Sequence, residues 1–113
     1  MKGHELKIEN PSFIATEEIL WIRADGTEVL IQAALGMPYQ LPDSWACPVA
    51  LSGVDERYPD IVGESSMQSL HLAMRLIRQR LGHLFDAGEI LVHPRDRTSR
   101  WDLTLLNAIF GSV

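Results

Sequence analysis

The sequence predicts an α+β fold: an antiparallel β-meander of three or more strands packed on one long α-helix, with a C-terminal short helix or strand. Three observations predict it. Two β-prone runs flank Asp25-Gly26 in "EEILWIRADGTEVLIQAAL", residues 17–35. A second alternating run, "WACPVALS", follows at residues 45–52. Apolar residues then recur every three or four positions through "SSMQSLHLAMRLIRQRLGHLF", residues 65–85. At 113 residues the chain suits a single domain, 1–113, with its core in 17–85 and a covering segment in 86–113.

Taken in order, Leu6 and Ile8 alternate and predict a short strand, which Asn10-Pro11 ends. Asp25-Gly26 accepts the positive φ angles of a two-residue type I′ turn. That turn pairs Ala24 with Thr27, Ile22 with Val29 and Leu20 with Ile31, an apolar face suited to the core. The opposite face then pairs Arg23 with Glu28, Trp21 with Leu30 and Ile19 with Gln32. Trp21 and Leu30 together suit water poorly and call for a cover. Residues 36–44, "GMPYQLPDS", read as a loop. Pro48 cannot donate to a ladder, so 45–52 is expected to be an edge strand or to hold a bulge.

Ser65 followed by Gln68 is a capping box, and Met67, Leu70, Met74, Ile77, Leu81 and Leu84 form the helical stripe. Leu72, Ala73 and Leu76 widen it. Gln68, His71, Arg75, Arg78 and Gln79 fill the polar arc, and Gly88 follows as a stop. Residues 89–93 read as a strand and 94–100 as a loop. Residues 101–110 fit a helix, with Ser99 and Asp102 before it and Gly111 after it. A strand fits Trp101, Leu103 and Leu105 nearly as well. In the expected assembly the helix packs on the Ile22/Val29 face, and the C-terminal segment covers Leu72 and Leu76. The Trp21/Leu30 face is left for the tail or for another protein to cover.

The formal charge is −5 and the pI about 5.2. This argues against non-specific nucleic-acid binding and suits a basic protein partner. Arg95, Arg97 and Arg100 precede Trp101, but Asp96 and Asp102 interleave with them, so they read as a solvated loop. The single cysteine, Cys47, excludes an intrachain disulfide and points to a cytoplasmic location. No signal-peptide core or membrane-length apolar run is visible, so no membrane partner is expected. His4, His71, His83 and His93 are too scattered for a local metal motif, and no cofactor motif is present. Cys47 lacks the positive surroundings of a nucleophile.

The stretch "DERYPDIVGESS", residues 55–66, concentrates carboxylates but fails the EF-hand and phosphate-loop templates. Glu64 and Ser65 suffice as a helix start. Asp55, Glu56, Arg57, Tyr58 and Asp60 remain as candidate partner contacts, together with Trp21 and Leu30, because tyrosine and arginine favour interface centres. Two other readings compete. One is a homodimer that buries Trp21, Ile19 and Leu30. The other is a ligand pocket or small enzyme site near Trp45, Tyr58, His71 and Arg75.

At "ADGTEV", "GMPY", "WACPVALSG" and "SSMQSLHLAMRLIRQRL" the chain resembles a small bacterial family of unknown function with a three-strand-plus-helix core. The resemblance spans residues 17–85. It implies a fold and carries over no catalytic residue. The family supplies no activity. The acidic charge, the lack of a catalytic constellation, the uncovered Trp21/Leu30 face and the acid-rich loop point to a non-enzymatic protein-binding role. Analogy with small acidic bacterial proteins makes an immunity or antitoxin-like role against a basic toxin or effector the expectation.

Overall fold

The computed structural model describes residues 6–112, so His4 lies outside the described residues. In chain order the elements are β1 (Phe13–Ile22), β2 (Glu28–Gly36), β3 (Tyr39–Gln40), β4 (Trp45–Cys47), β5 (Val49–Ser52), β6 (Glu56–Arg57) and β7 (Ile61–Gly63). Then come α1 (Ser66–Asp86), β8 (Ile90–His93), β9 (Asp96–Arg100) and α2 (Leu103–Phe110). The fold is α+β. Six strands form one antiparallel sheet in the order β6-β5-β2-β1-β8-β9, and three form a small sheet, β3-β4-β7. The expected meander is present as β1-β2-β5, inside a sheet twice as wide. Among the described residues no helix is long and apolar enough to cross a membrane.

The hairpin forms with a different register from the two-residue turn. Arg23 N–H donates to Thr27 O at 2.8 Å and Gly26 N–H to Arg23 O at 2.9 Å, closing a three-residue loop. Gly26 takes φ +88°, which favours glycine, and the Asp25 carboxylate accepts from Thr27 N and Oγ1. The pairs are therefore Ile22–Glu28, Trp21–Val29, Leu20–Leu30 and Ile19–Ile31. A one-residue slip exchanges the faces. Ile19, Ile31, Ala33 and Leu35 point to the core, while Leu20, Ile22 and Leu30 point outward. Trp21 and Leu30, expected on one uncovered face, lie on opposite faces. Trp21 packs against the core cluster and Leu30 is 51% exposed.

The outer face is not bare. Leu20 and Val92 are buried there, and Arg97 forms a two-pronged pair with Glu28 at 2.6 and 2.8 Å. Three strand steps separate β9 from β2, about 14 Å, so these two side chains lie extended across the sheet.

The run 45–52 divides at Pro48. Its first half joins the small sheet and its second half the large one. Pro48 O accepts from Gly36 N at 2.8 Å, and a Cβ on Gly36 would lie 2.6 Å from Pro48 Cβ, so only glycine fits. Residues 36–44 contain β3, and residues 94–100 contain β9, where loops were expected. The alternation of Leu6 and Ile8 does not produce a strand.

α1 begins as predicted: Ser65 Oγ accepts from Gln68 N at 3.0 Å. The reciprocal Gln68 Oε1 accepts from Glu64 N, one residue earlier than in a regular capping box. Ala73, Ile77 and Leu81 enter the core, but Met67 is 79% exposed. Arg78, placed by periodicity on the polar arc, is buried and donates through Nε and NH2 to Asn107 Oδ1 of α2. Within residues 101–110 the helix forms over Leu103–Phe110: the Asp102 carboxylate caps Leu105 N at 2.8 Å, and Leu106 and Phe110 are buried. Leu72 and Leu76 are half-buried and border a shallow opening with Arg75 and Gln79, so the C-terminal segment does not close over them.

Candidate functional site

The segment at residues 55–60 builds two internal networks. Val54 and Asp55 N–H both donate to Leu51 O, and Glu56 takes φ +64°, turning the chain back so that β6 pairs with β5. The Asp55 carboxylate accepts from Arg80 Nε at 2.5 Å, Arg80 NH2 at 3.2 Å and Tyr58 OH at 2.6 Å. The Arg80 guanidinium, then the Tyr58 hydroxyl, hold this carboxyl below its usual range. Burial, then the Asp55 carboxylate, push the Tyr58 phenol well up.

The second network centres on Asp60, whose side chain is fully buried. It accepts from Arg57 NH2 at 2.8 Å, Tyr39 OH at 2.6 Å and Ile8 N at 2.8 Å. Asp60 N–H also donates to Leu6 O at 2.7 Å, so one residue pins the segment before β1. Glu56 is exposed, and its Oε2 accepts from Gly53 N at 3.3 Å.

Trp21 lies apart from this segment, whereas Leu30 runs beside Gly53 just ahead of it, where a Cβ would meet Leu30 O at 2.8 Å. β1 is three strand steps from β6, about 14 Å. Trp21 Nε1 donates to Glu89 Oε1 at 2.8 Å, and Arg23 sits 5.1 Å over its ring. The structure therefore joins Asp55 with Tyr58 and Arg57 with Asp60. It does not gather the seven candidate contacts into one patch.

Nor do Trp45, Tyr58, His71 and Arg75 converge. Tyr58 touches Asp55 beside Arg80, nine residues and about 13 Å along the helix from exposed His71. Burial pushes the Cys47 thiol up to about 11, and its Sγ faces Gly36 O at 3.4 Å. Among the described residues no group of three or more His, Cys, Asp or Glu is placed to hold a metal ion.

A different surface emerges at the start of β1. The strand pairs with β2 along its whole length, but β8 pairs only with Leu20, Trp21 and Ile22. Pro94, next after β8, lacks the N–H to continue the ladder. Among the described residues, no strand pairs with the second edge of residues 13–19. The Arg23–Thr27 bond sets the phase of the β1–β2 ladder. Odd-numbered residues direct their N–H and C=O to β2. Even-numbered Thr16 and Glu18 present theirs at the open edge.

Two openings flank that edge. Ala15, Leu35, Met74, Ile77, Ile109 and Phe110 border an apolar groove of about 180 Å³ on the helix side. Glu17, Glu18, His93, Pro94 and Arg95 border a polar gap where β8 diverges. Glu17 and Glu18 make no ion pair among the described residues. Phe13 and Ile14 are 41% and 55% exposed. The β-prone "FIAT" at residues 13–16 is the sequence signal for this extension of the strand.

The family model described as "Domain of unknown function (DUF6968)" matches residues 16–98, most of β1 through most of β9. No curated protein and no solved structure matches the chain. The chain belongs to the DUF6968 family.

Proposed function

We propose that this member of the family is a non-enzymatic protein-binding domain, in its most specific form an immunity or antitoxin-like protein that occupies a basic toxin or effector. The observation that carries the reading is the edge of residues 13–19, unpaired among the described residues and set between an apolar groove and two carboxylates that have no ion-pair partner among them. Long open edges are sites of strand pairing with other chains unless they are covered. The net charge of −5 adds long-range attraction for a basic partner. Exposed Glu56 and half-exposed Leu30 are available as outlying contacts.

Co-expression with each adjacent gene product tests the reading. The expected outcome is a stable complex with one of them, with Kd below about 1 μM, and relief of its toxicity. A chain that remains alone beside every adjacent product, as a monomer, overturns it. The same edge also favours self-association as a second reading. A strict monomer at about 50 μM in light scattering excludes that one.

A further inference from the structure

We infer that residues 13–19 accept an added antiparallel strand from the partner: an extended segment with a lysine or arginine opposite Glu17 and Glu18 and an apolar side chain seated in the groove beside Ala15. The inference rests on the protein-binding reading above and names the partner's chemistry.

Four features define the occupant. First, the groups left without a ladder partner among the described residues are backbone N–H and C=O at Thr16 and Glu18, spaced as in a ladder, so the complementary shape is an extended chain. Second, the window has ends. Pro94 stops β8 on one side, while Asn10 (φ +54°) and Pro11 turn the chain away on the other. Seven residues at about 3.3 Å each give an edge of about 23 Å. Third, alternate side chains of an added strand face the helix side, where Met74, Ile109 and Phe110 wall the groove. The position across from Ala15 suits an apolar residue.

Fourth, Glu17 and Glu18 project to opposite faces of β1 and neither has an ion-pair partner among the described residues. A basic residue across from each supplies one. A second copy of this chain fits worse. Two-fold pairing centred on Thr16 sets Glu17 against Ala15 and Glu18 against Ile14, and pairing centred on Glu17 sets the two copies of Glu17 against each other. Both leave carboxylates uncompensated between two chains of charge −5.

The probe is a displayed library of random linear nonapeptides, panned against the folded full chain. Enriched peptides are then synthesised and measured by fluorescence anisotropy. The expected sequences alternate apolar residues with at least one lysine or arginine. Thr16→Pro removes an outward N–H without touching the β1–β2 ladder, since proline is tolerated on an open edge. It is expected to weaken binding about tenfold or more. Glu18→Lys is expected to weaken it about threefold or more, and Val62→Ser, exposed on β7 of the small sheet, to leave it unchanged.

Hydrogen exchange on the unmodified protein gives a readout that needs no variant. Peptide should slow the Thr16 and Glu18 amides and leave Glu17, already bonded to β2, as it was. Absence of enriched peptides, or enriched peptides that bind wild type and Thr16→Pro within twofold, overturns the inference. So does slowed exchange confined to other strands. A co-expressed partner that still binds Thr16→Pro removes the edge and keeps the protein-binding reading. Absence of any co-expressed partner together with absence of any enriched peptide removes both readings.

Discussion

Substituting Asp60 should destabilise the fold more than any other single change in residues 55–60. Its side chain is fully buried and receives donors from three separate places: Arg57, Tyr39 and the Ile8 backbone. Asp60→Ala leaves all three donors without an acceptor. A buried donor left unpaired costs about 1–3 kcal/mol, and breaking a buried ion pair about 3–5 kcal/mol. Arg57 Nε is already buried without a partner, so a second orphan on the same guanidinium has little chance of relief. Arg57 keeps 26% side-chain exposure and part of its hydration, which places the total near the lower figure, about 3–4 kcal/mol.

Against a domain stability of about 5–15 kcal/mol, that is a large fraction. Urea denaturation followed by tryptophan fluorescence measures it through the midpoint at constant m. Asp60→Asn should cost less, about 1–3 kcal/mol, because the amide oxygen still accepts while its NH2 faces a donor. Both variants should speed exchange at the Ile8 amide, since Asp60 holds it. A midpoint shift below about 1 kcal/mol for Asp60→Ala, or an Ile8 amide that stays protected, would refute the reasoning.

Three further outcomes follow from other contacts. The folded Asp55 carboxyl lies below its unfolded value, so its contribution is present above about pH 4 and fades as pH falls through the lower folded value. The stability gap between wild type and Asp55→Asn should therefore be widest near pH 7 and narrow in acid, as read from urea midpoints across pH. Gly36→Ala forces a Cβ to 2.6 Å from Pro48 and should cost about 1–3 kcal/mol, visible as a lowered melting temperature. Leu106→Ala empties a fully buried site between α1 and α2 and should cost about 2–5 kcal/mol.

What the sequence revealed follows the range of the interactions involved. The α1 cap is local, Ser65 to Gln68, and reads directly from spacing. Asp25-Gly26 marks the hairpin, but the same dipeptide serves a two-residue or a three-residue loop. The difference of one residue decides which face Trp21 presents. The choice is made where Ile19 meets Ile31 in the core, beyond the turn itself. β9 carries no apolar alternation, because all five of its residues are exposed. It forms as the second arm of a hairpin with β8, so its identity depends on its neighbour. Pro48 signalled an interruption. That the chain changes sheets there is set by which strand each half meets, β7 or β2. Arg78 looks solvated by periodicity, yet Asn107 lies across from it on another helix. The edge of β1 was hidden because an open edge is defined by a strand that is absent among the described residues, and Pro94 is the sequence mark of where β8 stops.

The acid-rich stretch and the β1 edge differ in what a partner must displace. A protein that took Asp55 would have to replace Arg80 and Tyr58, and one that took Asp60 would have to replace three internal donors. Each exchange breaks a made bond for a new one of similar strength, so the net gain is small. At the β1 edge the N–H and C=O groups of Thr16 and Glu18 join no ladder among the described residues, and the groove beside them is largely apolar. Binding there adds bonds without removing any from the fold. Arg57→Ala separates the two surfaces. If residues 55–60 act as an internal staple, it lowers stability by about 1–3 kcal/mol and leaves partner and peptide affinity within twofold of wild type. An affinity loss of about tenfold with the urea midpoint unmoved would instead make Arg57 a contact residue and return the interface to that segment.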